Sequence, residues 1–166
     1  MHGPALAQFL CSNRKTNSCF EGVYPADRLP RQVSWPCCMI INTDPADEQG
    51  EHWVAVYIDG AGVGVYFDSF GRAPPRTFGS FLHRNTVELT YNSKVLQSVY
   101  SYTCGYYCLY FLIKAVSGQS LSRILRVFDE HKPYRNDIRV IRWYHSEISK
   151  QNKSLLRRNA GLIGTL

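Results

Sequence analysis

Few side chains in this chain can serve as nucleophile, base or metal ligand: five histidines, six cysteines and the acids near predicted strand ends. Four positions stand out by type and spacing. His52 directly precedes the run Trp53-Val-Ala-Val-Tyr-Ile58, and Asp68 directly follows Val63-Gly-Val-Tyr-Phe67. If these runs form a hairpin, the start of the first strand lies beside the end of the second. The carboxylate can then accept from one imidazole N–H and hold its tautomer. Cys104 opens a long apolar stretch and is followed by Gly105. A thiol at a helix N-terminus meets unpaired N–H groups and the helix dipole, which favour the thiolate. An approaching imidazole would complete a thiolate–imidazolium pair, the resting form of a cysteine nucleophile. Gln97, in a loop-like segment ahead of Cys104, can donate its amide to the oxyanion of a tetrahedral intermediate, alongside the Cys104 backbone N–H. Each residue also has a plainer reading when taken alone: a surface histidine, an aspartate capping the turn Ser69-Phe70-Gly71, an inert buried thiol of the kind expected at Cys108, and a solvated glutamine.

The elements that must hold these residues follow from pattern. Residues 1–36 are broken by Gly3, Pro4, Gly22, Pro25, Pro30 and Pro36, which predicts a short helix over 5–10 and then a meandering loop. The run 37–42, bounded by Pro36 and Asp44-Pro45, reads as a buried strand. Residues 53–58 are apolar on both faces, as in a central strand. The turn Asp59-Gly-Ala-Gly62 joins them to a second strand over 63–67. A helix is expected around 77–83 and a strand over 87–91. The stretch 104–118 is apolar almost all round and closed by Gly118, which predicts a buried central helix. Ser120 is placed to cap a helix carrying Leu121, Ile124, Leu125 and Phe128. A last helix is expected after Asn136, with Ile138, Ile141, His145 and Ile148 on one face, and a loose tail over 150–166. The whole, 1–166, reads as one α+β domain with a central, mostly antiparallel sheet packed by helices.

Composition narrows the function classes. With 166 residues, 45% hydrophobic and 19% charged, the chain can bury a core and is not disordered as a whole. The apolar runs 37–42, 53–58 and 106–113 fall far below the roughly 18 residues a membrane span needs, and 1–10 lacks the basic start of a secretory signal. A soluble, intracellular, monomeric protein with reduced thiols is the expectation; a Cys11–Cys19 disulfide is the alternative. No Cys-x2-Cys or His-x3-5-His pair supplies a metal site, so no metal is expected. Neither Walker loop, nor dinucleotide fingerprint, nor serine nucleophile elbow occurs. The formal charge of +6 fits an acidic or polyanionic partner.

In their order and spacing the four residues carry more than they do singly. His52-Trp53, Tyr66-Phe-Asp-Ser-Phe-Gly71, Gln97 and Cys104-Gly105, with Gly22-Val-Tyr-Pro-Ala-Asp-Arg-Leu-Pro30, Val33-Ser34 and Ile40-Ile-Asn-Thr43 ahead of them, resemble the adenovirus-type cysteine proteases (adenain). The resemblance spans roughly residues 21–125, and the last forty or so carry no motif it places. It implies a papain-like fold in which Cys104 is the nucleophile, His52 the general base, Asp68 its orienter and Gln97 the oxyanion donor. It also implies cleavage of viral precursor capsid and core proteins after short glycine-containing motifs, in the virion and the host nucleus. Two cofactors follow from it, duplex DNA and a short activating viral peptide.

Two departures qualify this. The adenovirus enzymes carry glutamate where this chain has Asp68, a shorter carboxylate that can orient the same histidine. They also capture their activating peptide through a cysteine upstream of the nucleophile, whereas residues 82–100 contain none here. Any peptide activator is therefore expected to bind non-covalently. The aspartate points to a second group, the ubiquitin-like-protein (SUMO-type) proteases, which share the order His-Trp, Asp, Gln, Cys-Gly. A non-catalytic DNA-binding virion protein on the same fold is the remaining alternative.

Overall fold

The second strand, β2 (Cys37–Asn42), is buried at all 6 of its positions, because both faces of the sheet it lies in are covered. Side chains alternate across a strand, so Cys38 and Ile40 enter one core with Phe67, Leu109 and Phe111. Cys37, Met39 and Ile41 enter another with Val56, Tyr66 and Phe78. The structure, a computed structural model, describes residues 1–163, and side chains throughout except at 155 and 157–163.

The five strands lie in the order β1 (Phe20–Tyr24), β2, β3 (Trp53–Ile58), β4 (Val63–Phe67) and β5 (Glu88–Tyr91). The expected hairpin is present, with Ala55 opposite Phe67 and Ile58 opposite Gly64 in an antiparallel pair. β2 is also antiparallel to β3, while β1 runs parallel to β2 and β5 parallel to β4. The α+β class therefore stands, but the sheet is mixed: antiparallel pairing is confined to its middle. Parallel neighbours need a crossover, and β4 reaches β5 through a 3-10 turn (Arg76–Phe78) and helix α2 (Gly79–Asn85), which covers the second core. β1 falls inside the expected N-terminal loop. Its Gly22 and the following Pro25 obscure it in sequence, and its pairing with β2 is irregular between Phe20 and Gly22.

The first helix, α1, spans Gly3–Ser12 and buries Leu6, Phe9 and Leu10. The central helix, α3 (Cys104–Val116), is buried on nearly every side and lies across β3 and β2, with Phe111 stacked on Phe67 at 4.7 Å. Helix α1 approaches α3 so closely that a Cβ at Gly105 would lie 3.2 Å from Leu6 Cδ2. Gly118 closes α3 with φ 80°, and the Ser120 side chain accepts from Arg123 N at the start of α4 (Leu121–Leu125), both as expected, but α4 ends before Phe128, which joins the core from beyond the helix.

The last helix, α5 (Pro133–Ile163), differs from expectation in three ways. It begins at Pro133, whose fixed φ suits a first turn. Its packing face is Val140, Trp143, Tyr144 and Ile148; of the expected face Ile148 packs there, whereas His145 is exposed, because the aromatic rings offer α3 more apolar surface, and Trp143 meets Tyr110 at 5.0 Å. It also continues through 150–163, where a loose tail is expected. Lysine, leucine, arginine and alanine dominate that stretch, and their helix propensity outweighs Gly161; residues 164–166 lie outside the described residues. No described helix is long and apolar enough to cross a membrane.

All six cysteines are free, and Cys19 faces Cys38, with sulfurs 3.8 Å apart, rather than Cys11. Cys108 is 1% exposed within the α3 core. Replacing it by serine places a hydroxyl among apolar side chains, at a cost of about 1–3 kcal/mol. Cys108→Ser is expected to lower the melting temperature while Cys104 keeps its reactivity; lost reactivity at unchanged stability would contradict this placement.

Candidate active site

The hairpin does what its spacing predicts. His52 stands just before β3 and Asp68 just after β4, and the register brings them side by side: His52 Nε2 lies 2.7 Å from Asp68 Oδ1. Both are buried, at 8% and 2% exposure. Asp68 is held from several directions. Its Oδ1 also accepts from the backbone N–H of Phe70 at 2.8 Å. Its own N–H donates to Asn92 Oδ1 at 2.9 Å, and Asn92 Nδ2 donates back to the Asp68 carbonyl at 2.6 Å. The turn closes with Gly71 N–H on that same carbonyl at 2.8 Å. Gly71 has φ 68°, and a Cβ there would meet the Lys94 backbone oxygen at 2.7 Å, so only glycine fits.

Cys104, the first residue of α3, lines the same cleft as His52, and the imidazole together with the backbone N–H groups of Trp53 and Gly105 favours its thiolate. Burial pushes this thiol up, but the imidazole hydrogen bond and the two N–H groups outweigh it, and its pKa falls below the usual 9.0. Burial likewise works against a charged His52; the bonds to Asp68 and Cys104 overcome it and raise its pKa from 6.5 to about 9. Both shifts favour one state, a thiolate beside an imidazolium. The ring lying against the imidazole is Phe70, at 5.0 Å. Trp53, which could have filled that place, turns its indole N–H to the Met1 carbonyl at 3.0 Å.

Gln97 is 2% exposed, and its orientation is set at both ends of the amide. Ser69 Oγ donates to its Oε1 at 2.7 Å, and its Nε2 donates to the Ser101 carbonyl at 2.8 Å. The second Nε2 hydrogen is left for the cleft, as is the Cys104 N–H, which as the first of its helix has no intrahelical acceptor. All four sequence-predicted residues thus meet. His52, Gln97 and Cys104 line one cleft of about 730 Å³, with Asp68 behind the imidazole. A larger groove of about 850 Å³, walled by the start of α1, Pro25, Pro45 and Trp53, abuts it through Gln49 and Gly50. Ser69 and Asn92 were not legible as site residues: a serine beside a turn and an asparagine after an edge strand look solvated in sequence. Among the described residues no three His, Cys, Asp or Glu side chains stand together as metal ligands.

The charge state has a direct readout. At pH 7, iodoacetamide is expected to alkylate Cys104 although an ordinary thiol is largely protonated there. His52→Ala should suppress that alkylation. Cys19, lowered to about 7 by its hydrogen bond with Cys38, serves as an internal reference whose rate does not change. Peptide-resolved mass spectrometry separates the two thiols, and equal Cys104 rates with and without His52 would contradict the pair.

Comparison with known proteins adds little to this geometry. No protein-family model and no curated protein matches the chain. Among solved structures it is similar to the ASFV pS273R protease, seen in a selenomethionine crystal structure (22% identity, TM-score 0.45) that covers 63% of this chain and 45% of that one. A second crystal structure of the same protease gives 22% identity and a TM-score of 0.42, over 63% of this chain and 44% of the other. The chain thus spans less than half the length of that protein.

Proposed function

We propose that this protein is a cysteine endopeptidase of adenain type that cleaves precursor proteins of a virus or virus-like element. The observation that carries the reading is the buried line Asp68–His52–Cys104, with His52 raised to about 9 and Cys104 lowered. A binding module has no use for such a pair. In this reading the Cys104 thiolate attacks the scissile carbonyl carbon, and the oxyanion is held by Gln97 Nε2 and the Cys104 N–H. The His52 imidazolium gives its proton to the leaving amine as the C–N bond breaks. His52, now neutral, takes a proton from water, whose oxygen attacks the thioester and releases the acid and the thiolate.

The adjoining grooves support an extended polypeptide as the substrate, since together they run past the dyad on the Gln49–Gly50 side. The resemblance supports glycine-containing cleavage sites. It also supports duplex DNA as a non-covalent cofactor, to which Arg135, Arg139, Arg142, Lys150 and Lys153, all exposed along α5, add a basic stripe. A peptide activator, if used, binds without a disulfide. Asp68 favours one competing reading, a ubiquitin-like-protein protease, because an aspartate orients the histidine there too.

Cleavage profiling on a peptide library, with and without duplex DNA, tests the proposal. Expected are cuts at glycine-containing sites, abolished by Cys104→Ala at unchanged melting temperature, and any stimulation by DNA should fall steeply with added salt. Full activity in Cys104→Ala would overturn the assignment. Selective release of a folded ubiquitin-like protein after its C-terminal Gly-Gly, without cleavage of ordinary peptides, would transfer it to the competing reading.

A further inference from the structure

The segment between Gln97 and Cys104 has no regular secondary structure, yet presents three large apolar side chains to solvent: Val99 at 73% exposure, Tyr100 at 94% and Tyr102 at 89%. Single exposed apolar residues are ordinary on protein surfaces. Three within one short turn, at the lip of a cleft, mark a contact surface. Val99 and Tyr102 line the same cleft as Cys104, His52 and Gln97, and Phe70 lines it too.

The turn is not loose. Ser101 N–H and Ser101 Oγ both donate to the Ser98 carbonyl at 3.1 Å. The Ser101 carbonyl accepts from Gln97 Nε2, and its hydroxyl lies 2.9 Å from Thr103 Oγ1. Both flanks are tied to buried groups of α5. Leu96 O accepts from Asn136 Nδ2 at 3.0 Å, and Thr103 Oγ1 donates to Asp137 Oδ1 at 2.9 Å. Tyr107 OH on α3 lies 3.0 Å from both Leu96 O and Asp137 Oδ1, closing the clamp. A turn braced by these hydrogen bonds, with its apolar side chains exposed, binds with little further ordering cost.

We propose that Val99 and Tyr102 form the selecting wall of the cleft and take a large apolar side chain of the polypeptide substrate at a position flanking the scissile bond, in the cleft that Phe70 also lines. This rests on the protease reading and deepens it: substrates carry an apolar residue beside the cut as well as whatever the reacting residues demand. Because Gln97 and the turn share the Ser101 bond, seating that side chain also steadies the oxyanion donor.

The test uses matched peptides in which each position flanking the cut is Leu or Phe in one member and Ser in the other. Cleavage by the native chain is compared with the double variant Val99→Ser and Tyr102→Ser. Native kcat/KM should favour the apolar member at one flanking position by about tenfold or more, the scale of a single hydrophobic pocket contact. The double variant should lose that preference. Alkylation of Cys104 at pH 7 should be the same in both, which shows that fold and nucleophile are intact. An unchanged preference in the variant, or no apolar preference in the native chain, would overturn the assignment of this wall while leaving the protease reading in place. Failure of the native chain to cut any peptide, with or without duplex DNA and with Cys104 still reactive, would overturn the adenain-type reading and this inference with it.

Discussion

The His52–Asp68 hydrogen bond is the interaction on which the arrangement depends. It joins the two ends of one hairpin in a buried setting, where an unpaired charge is costly. An imidazolium at His52 is tolerable because the Asp68 carboxylate stands beside it at 2.7 Å and the neighbouring Cys104 thiol has a lowered pKa. The local structure around Asp68 serves that contact. The Phe70 N–H holds the carboxylate itself while the Asn92 amide and the Gly71 N–H hold the Asp68 backbone, so the imidazole meets an acceptor whose position is already set. Asp68 is one methylene shorter than a glutamate, and the turn backbone carries it to the histidine.

Much of this was legible because it is local. His52 and Asp68 are ends of adjacent strands, and a hairpin brings them together whatever the rest of the fold does. Cys104 is different: its helix must cross the sheet above β3, and only its position before Gly105 and a long apolar run pointed to that. The α3 stop at Gly118 and the Ser120 cap were visible because each depends on one residue's conformational or hydrogen-bonding character. Strand β1 was not visible. It is short, contains Gly22, and pairs with a single neighbour, β2, at the edge of the sheet. Ser69, Asn92, Asn136 and Asp137 were hidden for another reason: a polar residue's partner lies far off in sequence, so nothing local distinguishes a clamp from a solvated side chain.

The four cleft residues therefore rest on two supports of different kind. His52 and Asp68 are carried by the sheet, whose middle strands are buried on both faces by the two cores. Gln97 sits on an irregular segment, made firm by hydrogen bonds from Ser69 in the turn after β4 and from Asn136 of α5. This gives the C-terminal quarter, which lies beyond the adenain resemblance, a structural part in the site. Strand pairing sets the positions of His52 and Asp68, whereas side-chain bonding fixes the segment around Gln97.

A pH titration of the His52 imidazole followed by heteronuclear NMR addresses the pairing itself. The native chain should titrate with a midpoint of about 9, and Asp68→Asn, which keeps the shape but removes the charge, should bring the midpoint down toward the value of an isolated imidazole. A native midpoint near 6.5, unmoved by Asp68→Asn, would mean that the carboxylate and thiol do not hold the imidazolium.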